Sequence, residues 1–97
     1  MTWTLTLYSK PDCPLCDEAK RALAEFQSEC AVKLEIVDIT KDPELWQRYR
    51  YEIPVLHIDG QEATRHHVSL KKLRVLRKRW EQGESLPRPN ARVFGAN

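Results

Sequence analysis

Two cysteines, Cys13 and Cys16, sit where a strand pattern gives way to a helix pattern, and this junction constrains the fold more than anything else in the chain. Ahead of it, Trp3, Leu5 and Leu7 alternate with Thr2, Thr4 and Thr6, the period of a strand with one apolar face. Behind it, Leu15, Ala19, Ala22, Leu23, Phe26 and Cys30 follow one face of a helix expected from about Pro14 to Glu29. Val32 to Ile39, rich in β-branched residues, reads as a second strand. Strand, helix and strand at this spacing imply a parallel pair with a right-handed crossover.

The junction suits sulfur chemistry. The first turn of a helix leaves backbone N–H groups unpaired and carries partial positive charge, so a thiolate there is stabilised. Pro14 fits the first helical position, where a missing N–H costs nothing. Cys13 then falls at or beside the N-cap, and Cys16, one turn on, is within disulfide reach of it. A structural zinc site is the other common use of such a pair. It needs four ligands, usually from two pairs. Only Cys30, His57, His66 and His67 remain, and none forms a second spaced pair. A redox pair is the expected use, beside a strand–helix–strand pattern.

Further along, Asp42-Pro43 reads as an N-cap followed by proline at the first helical position, opening a short helix over 44–50. Leu45, Trp46 and Tyr49 form its apolar side, with Trp46 and Tyr49 as packing residues. A strand is expected over Tyr51–Ile58, with Pro54 near its start, where a missing donor is tolerated. Asp59-Gly60 signals a tight hairpin to a returning strand ending near Arg65. His57 in that strand is expected to be structural or surface-facing rather than a ligand, and His66-His67 to be solvated linker residues. Ser69 is the expected N-cap of a last helix whose stripe is Leu70, Leu73, Leu76 and Trp80. Cys30 continues the stripe of the first helix as a small buried hydrophobe. From Gly83 onward the periodicity stops, so residues 83–97 read as an extended tail behind a domain of residues 1–82.

The segment Ser9-Lys10-x-x-Cys13-Pro14-x-Cys16 resembles the active-site segment of glutaredoxins, within the thioredoxin superfamily. The resemblance implies a thioredoxin-like α/β fold, β-α-β-α-β-β-α, with a four-stranded mixed sheet. It also implies that Cys13 attacks as thiolate and Cys16 resolves, in thiol–disulfide exchange on a protein disulfide or a glutathione mixed disulfide. Lys10 matches the lysine that glutaredoxins keep near the thiolate. Ile53-Pro54 matches the superfamily's cis-proline beside the active cysteines, leaving the Ile53 backbone free to pair with an incoming chain. Lys10, Pro14, Leu15, Ile53 and Pro54 are thus the implied substrate-binding residues. No bound cofactor is implied, and glutathione is a possible cosubstrate. Two departures stand out: Leu15 where tyrosine is common, and His66-His67-Val68-Ser69 where glutaredoxins carry a Gly-Gly pair and an acidic residue.

Composition narrows the class. With 97 residues the chain is one domain, and its 41% hydrophobic content is that of a folded protein. No apolar run approaches the length of a membrane span, and the N-terminus opens directly into a strand, so a cytoplasmic protein is expected. Three cysteines cannot make a paired framework, which favours a reducing compartment with one working pair. Residues 61–97 hold 9 basic and 3 acidic side chains, against 7 and 11 in residues 1–60. The basic last helix keeps a second function open: a non-catalytic module that docks an acidic protein partner or, through Cys13 and glutathione, bridges an iron–sulfur cluster. Its basic residues are not interleaved with aromatics, which argues against nucleic acid. A monomer is expected.

Overall fold

The computed structural model describes residues 3–81, apart from the Trp80 side chain; the tail expected over 83–97 lies outside the described residues. The element order is β1 (Trp3–Ser9), α1 (Pro14–Glu29), β2 (Val32–Asp38), a 3-10 turn (Ile39–Lys41), α2 (Pro43–Tyr49), β3 (Val55–Ile58), β4 (Gln61–Arg65) and α3 (Leu70–Glu81). The strands lie in the order β2-β1-β3-β4, with β1 parallel to β2 and antiparallel to β3, and β3 antiparallel to β4. This is the four-stranded mixed sheet with three helices that the sequence implied. Among the described residues no helix is long and apolar enough to cross a membrane.

Strand alternation divides the core between the two faces of the sheet. Trp3, Leu5 and Leu7 of β1 join Leu56 and Ile58 of β3 in packing against Ala19, Leu23 and Phe26 of α1 and Leu73 and Leu76 of α3. Phe26 is one of the largest of these side chains, and burying one like it contributes roughly 1.5–3 kcal/mol. A smaller cluster gathers Cys16, Ile39, Tyr49, Ile53 and Val55, with Tyr8, Cys13 and Leu45 packed on it. The redox candidates thus belong to the cluster that α2 and the loop after it complete.

The helix starts follow side-chain chemistry. Asp42 caps α2, its Oδ1 accepting the N–H groups of Glu44 at 2.9 Å and Leu45 at 3.4 Å. Ser69 does the same for α3, its Oγ accepting the Lys72 N–H at 3.1 Å. Asp59 and Gly60 both have positive φ, 51° and 82°, as a two-residue hairpin turn with the twist of its strands requires. A register irregularity follows between Leu56 and His57.

Four expectations are corrected. Leu15 does not join the buried stripe of α1: it is 37% exposed, and Cys16 is fully buried in its stead. Both positions are compatible with a stripe through Ala19 and Leu23, but Cys16 stands three and seven residues before them, the closer helical fit. Ile39 is not the end of β2. It is buried in the 3-10 turn, where Asp38 Oδ1 accepts the Thr40 N–H at 2.9 Å and bends the chain out of the strand. β3 begins at Val55 rather than Tyr51, because the N–H groups of Glu52 and Ile53 both donate to the Tyr49 carbonyl, at 2.8 and 3.1 Å, and prolong the turn after α2. Of the two aromatics of α2, Tyr49 packs as expected, whereas Trp46 stays 37% exposed over a shallow recess lined by Thr40 and Pro43.

Candidate active site

The geometry around the cysteines begins at the end of β1. After Ser9 the chain makes a turn in which Asp12 takes φ 58°, a left-handed conformation that aspartate tolerates better than most residues. Cys13 is left extended at the N-cap of α1, φ −119° and ψ 107°, with Pro14 at the first helical position. The Cys13 carbonyl accepts the first helical bond, from the Asp17 N–H at 2.9 Å. Its side chain turns back over the helix end, where the Cys16 N–H donates to Cys13 Sγ at 3.3 Å. One otherwise orphaned amide of the first turn is therefore aimed at sulfur.

The two thiols sit in different surroundings. Cys13 is half-buried; Cys16 is fully buried, and both are free thiols. Burial pushes the Cys16 thiol up to about 11, helped by its bond to the Cys13 side chain; a backbone bond from Lys10 and the charge of Lys20 pull weakly the other way. At neutral pH Cys16 holds its proton. The arrangement gives one accessible sulfur with an amide donor and one sheltered thiol beside it, the pattern needed for attack followed by intramolecular exchange.

Around this pair the implied binding residues fall as follows. Pro14 and Leu15 are exposed on the tip of α1. Lys10 is half-buried directly after β1. Ile53 shares the apolar cluster of Cys16 on which Cys13 packs. Pro54 is fully buried behind it, and the Ile53–Pro54 peptide is cis. One expectation needs correction here: the Ile53 backbone is only half free, since its N–H is bonded to Tyr49.

Other candidates lie elsewhere. Cys30 closes the far end of α1, half-buried, with its thiol donating to the Phe26 carbonyl at 3.6 Å. His57 packs edge-on against Tyr8, ring centres 4.9 Å apart, and meets the Tyr49 hydroxyl at 3.4 Å; its burial lowers its pKa. Among the described residues no group of three or more His, Cys, Asp or Glu side chains is gathered to hold a metal ion. Sequence reasoning missed an ionic cluster beside Ile53. Arg65 donates to Glu62 through Nε at 2.7 Å and NH2 at 2.8 Å, and to Glu52 through NH1 at 3.1 Å. His66 Nε2 meets the same Glu52 oxygen at 2.9 Å. No local pattern marks these residues, since Glu52 and His66 are 14 positions apart.

Comparison with known proteins agrees with this architecture. The family model described as Glutaredoxin-like domain (DUF836) matches residues 4–76. The chain is 33% identical to a protein from X. campestris known by X-ray crystallography, covering 84% of this chain and 99% of that one at a TM-score of 0.65. Two more distant structures share the fold. One is a protein from Nitrosomonas europaea solved by NMR, at 22% identity, 77% and 91% coverage and a TM-score of 0.66. The other is reduced desulfothioredoxin from Desulfovibrio vulgaris Hildenborough, at 24% identity, 80% and 81% coverage and a TM-score of 0.59. With the family model spanning most of the chain and the strand order, helices and cysteine-capped α1 in hand, the chain has a thioredoxin-like fold and belongs to the glutaredoxin-like domain family.

Proposed function

We propose that the protein is a thiol–disulfide oxidoreductase that reduces protein disulfides or glutathione mixed disulfides through Cys13 and Cys16. The observation that carries this reading is the division of labour at the tip of α1: an accessible Cys13 sulfur held by a helix amide, and a buried, protonated Cys16 one turn away.

In the forward reaction Cys13 thiolate attacks one sulfur of the substrate disulfide. The S–S bond of the substrate breaks, its second sulfur leaves as thiolate and takes a proton, and a mixed disulfide joins Cys13 to the substrate. Cys16 then gives up its proton and attacks Cys13 Sγ. The substrate's remaining thiol departs, and Cys13–Cys16 is left oxidised, the two electrons having passed to the substrate. Two molecules of glutathione return the pair to the dithiol, forming glutathione disulfide. In this reading the substrate meets Cys13 beside Pro14 and Leu15, which are exposed on the helix tip, and Lys10, Ile53 and Pro54 are the further binding residues.

Cys16→Ser tests the order of events. Without a resolving thiol, the first mixed disulfide has no intramolecular exit. Challenge of this variant with glutathione disulfide is expected to leave one glutathione on Cys13, read by mass spectrometry with peptide mapping. A variant that carries no adduct on Cys13 contradicts the proposal.

A further inference from the structure

The sheet ends on one side at β2, whose 7 residues all pair with β1 and whose other edge meets no strand among the described residues. Such an edge presents a row of backbone N–H and C=O groups able to take another strand. The segment carries no proline and no register irregularity, so the row is unbroken. Near its start the Gln27 amide donates to the Val32 carbonyl at 3.4 Å. Alternation sorts the side chains of β2 by face. Val32, Leu34 and Ile36 lie level with Trp3, Leu5 and Leu7, on the side of α1. Lys33 and Glu35 lie level with Thr4 and Thr6 on the other side, and among the described residues neither has an ion-pair partner. Val32 and Leu34 pack on the main core, but Ile36 is left 48% exposed.

The strand is complementary to itself. Val32-Lys33-Leu34-Glu35-Ile36, turned end for end about Leu34, sets Leu34 beside Leu34 of a second copy, Val32 beside Ile36, and Lys33 beside Glu35. Apolar residues then meet on the α1 side and opposite charges on the other, each a favourable cross-strand pair. The neighbouring registers that keep the faces matched are centred on Lys33 or Glu35, and each sets like charges directly opposite one another. Charges on an exposed edge ordinarily keep other strands away. Here their order repels most strands and admits this one.

We infer that two copies of the chain join through β2, antiparallel and centred on Leu34, merging their sheets into one, in place of the monomer expected from the sequence. The two-fold axis stands perpendicular to the sheet beside Leu34, so the contact is self-complementary and closes at two copies. Ile36 is covered by Val32 of the other copy, and the apolar face of the sheet continues across the axis. A contact of one strand pair is small, so the dimer is reversible. β1 and β2 run parallel and both end on the Cys13 side, so the two Cys13 sites point to opposite ends of the joined sheet and stay open. The inference does not depend on the chemistry at those sites.

Sedimentation equilibrium of the full chain, with a reductant present to exclude disulfide-linked pairs, reads the association. The wild type is expected to show a monomer–dimer equilibrium that weakens as salt rises. Lys33→Glu and Glu35→Lys each set like charges face to face at both symmetry-related pairs, and each is expected to raise the dimer Kd about tenfold or more. Mixing the two single variants pairs opposite charges again, and so does the double variant Lys33→Glu/Glu35→Lys on its own. Both are expected to return the Kd to within about threefold of wild type. That recovery separates a lost contact from a misfolded variant. A wild-type chain that stays monomeric over its whole soluble range overturns the inference, and so does a dimer that neither single variant weakens. A loss in both single variants that neither the mixture nor the double variant recovers overturns it as well.

Discussion

Cys13→Ser is expected to bring turnover of every disulfide substrate down to the rate of uncatalysed exchange. A serine hydroxyl cannot form the mixed disulfide, so the first step has no substitute nucleophile. Cys16 cannot take over: it is fully buried and its proton is held up to about pH 11. Cys30 cannot either, since it lies at the opposite end of the 16-residue α1, about 24 Å away along the axis. The control is Cys30→Ser, in which turnover is expected to persist. The helix amide that now donates to Cys13 Sγ at 3.3 Å remains in both variants, so folding of α1 is not the quantity that changes. Undiminished reduction of a disulfide substrate by Cys13→Ser refutes the assignment of the attacking sulfur.

The second large effect is on pH. Burial is the leading reason that the Cys16 pKa stands near 11, and burial persists when Cys13 is joined to substrate. The thiolate fraction of Cys16 is small at neutral pH and rises with pH. Resolution of the Cys13 mixed disulfide should therefore accelerate by roughly two orders of magnitude or more between pH 7 and pH 10, read as release of the second thiol in stopped flow. The same shift has a consequence for folding. The folded chain holds this proton more tightly than the unfolded one, whose thiol has its ordinary value of 9.0. That contribution to stability is complete below about pH 9 and is lost as pH rises through about 11. Resolution that is flat with pH over this range contradicts the assignment of a buried, protonated Cys16.

Much of this was legible in the sequence because the signals are local. The bounds of α1 follow from Pro14 at its start and an apolar stripe ending near Cys30, and the Asp59-Gly60 turn fixes the β3–β4 hairpin. The N-caps at Asp42 and Ser69 are side-chain chemistry within three residues. What was not legible depends on contacts distant in sequence. Ile39 looks like any β-branched strand residue until Asp38 turns the chain inward. Leu15 and Cys16 both fit the helical period, and which one enters the core is decided by Ile39, Tyr49 and Ile53 arriving from elsewhere. His66 carries no mark of its φ of 75°, and the tie from Arg65 and His66 to Glu52 joins residues that sequence reading assigned to unrelated segments. The site chemistry was therefore readable at the two cysteines and hidden at the loop that faces them.

Equilibration of the reduced protein against a series of glutathione and dithiol buffers, quenched with a thiol reagent and resolved by gel shift, addresses the exchange chemistry itself. A two-electron transition between the dithiol and a Cys13–Cys16 disulfide is expected, with a tenfold change in equilibrium constant for each roughly 30 mV of buffer potential. It should survive in Cys30→Ser and vanish in Cys13→Ser. A protein whose Cys13 and Cys16 stay reduced across the whole series, or pair only with Cys30, contradicts the account.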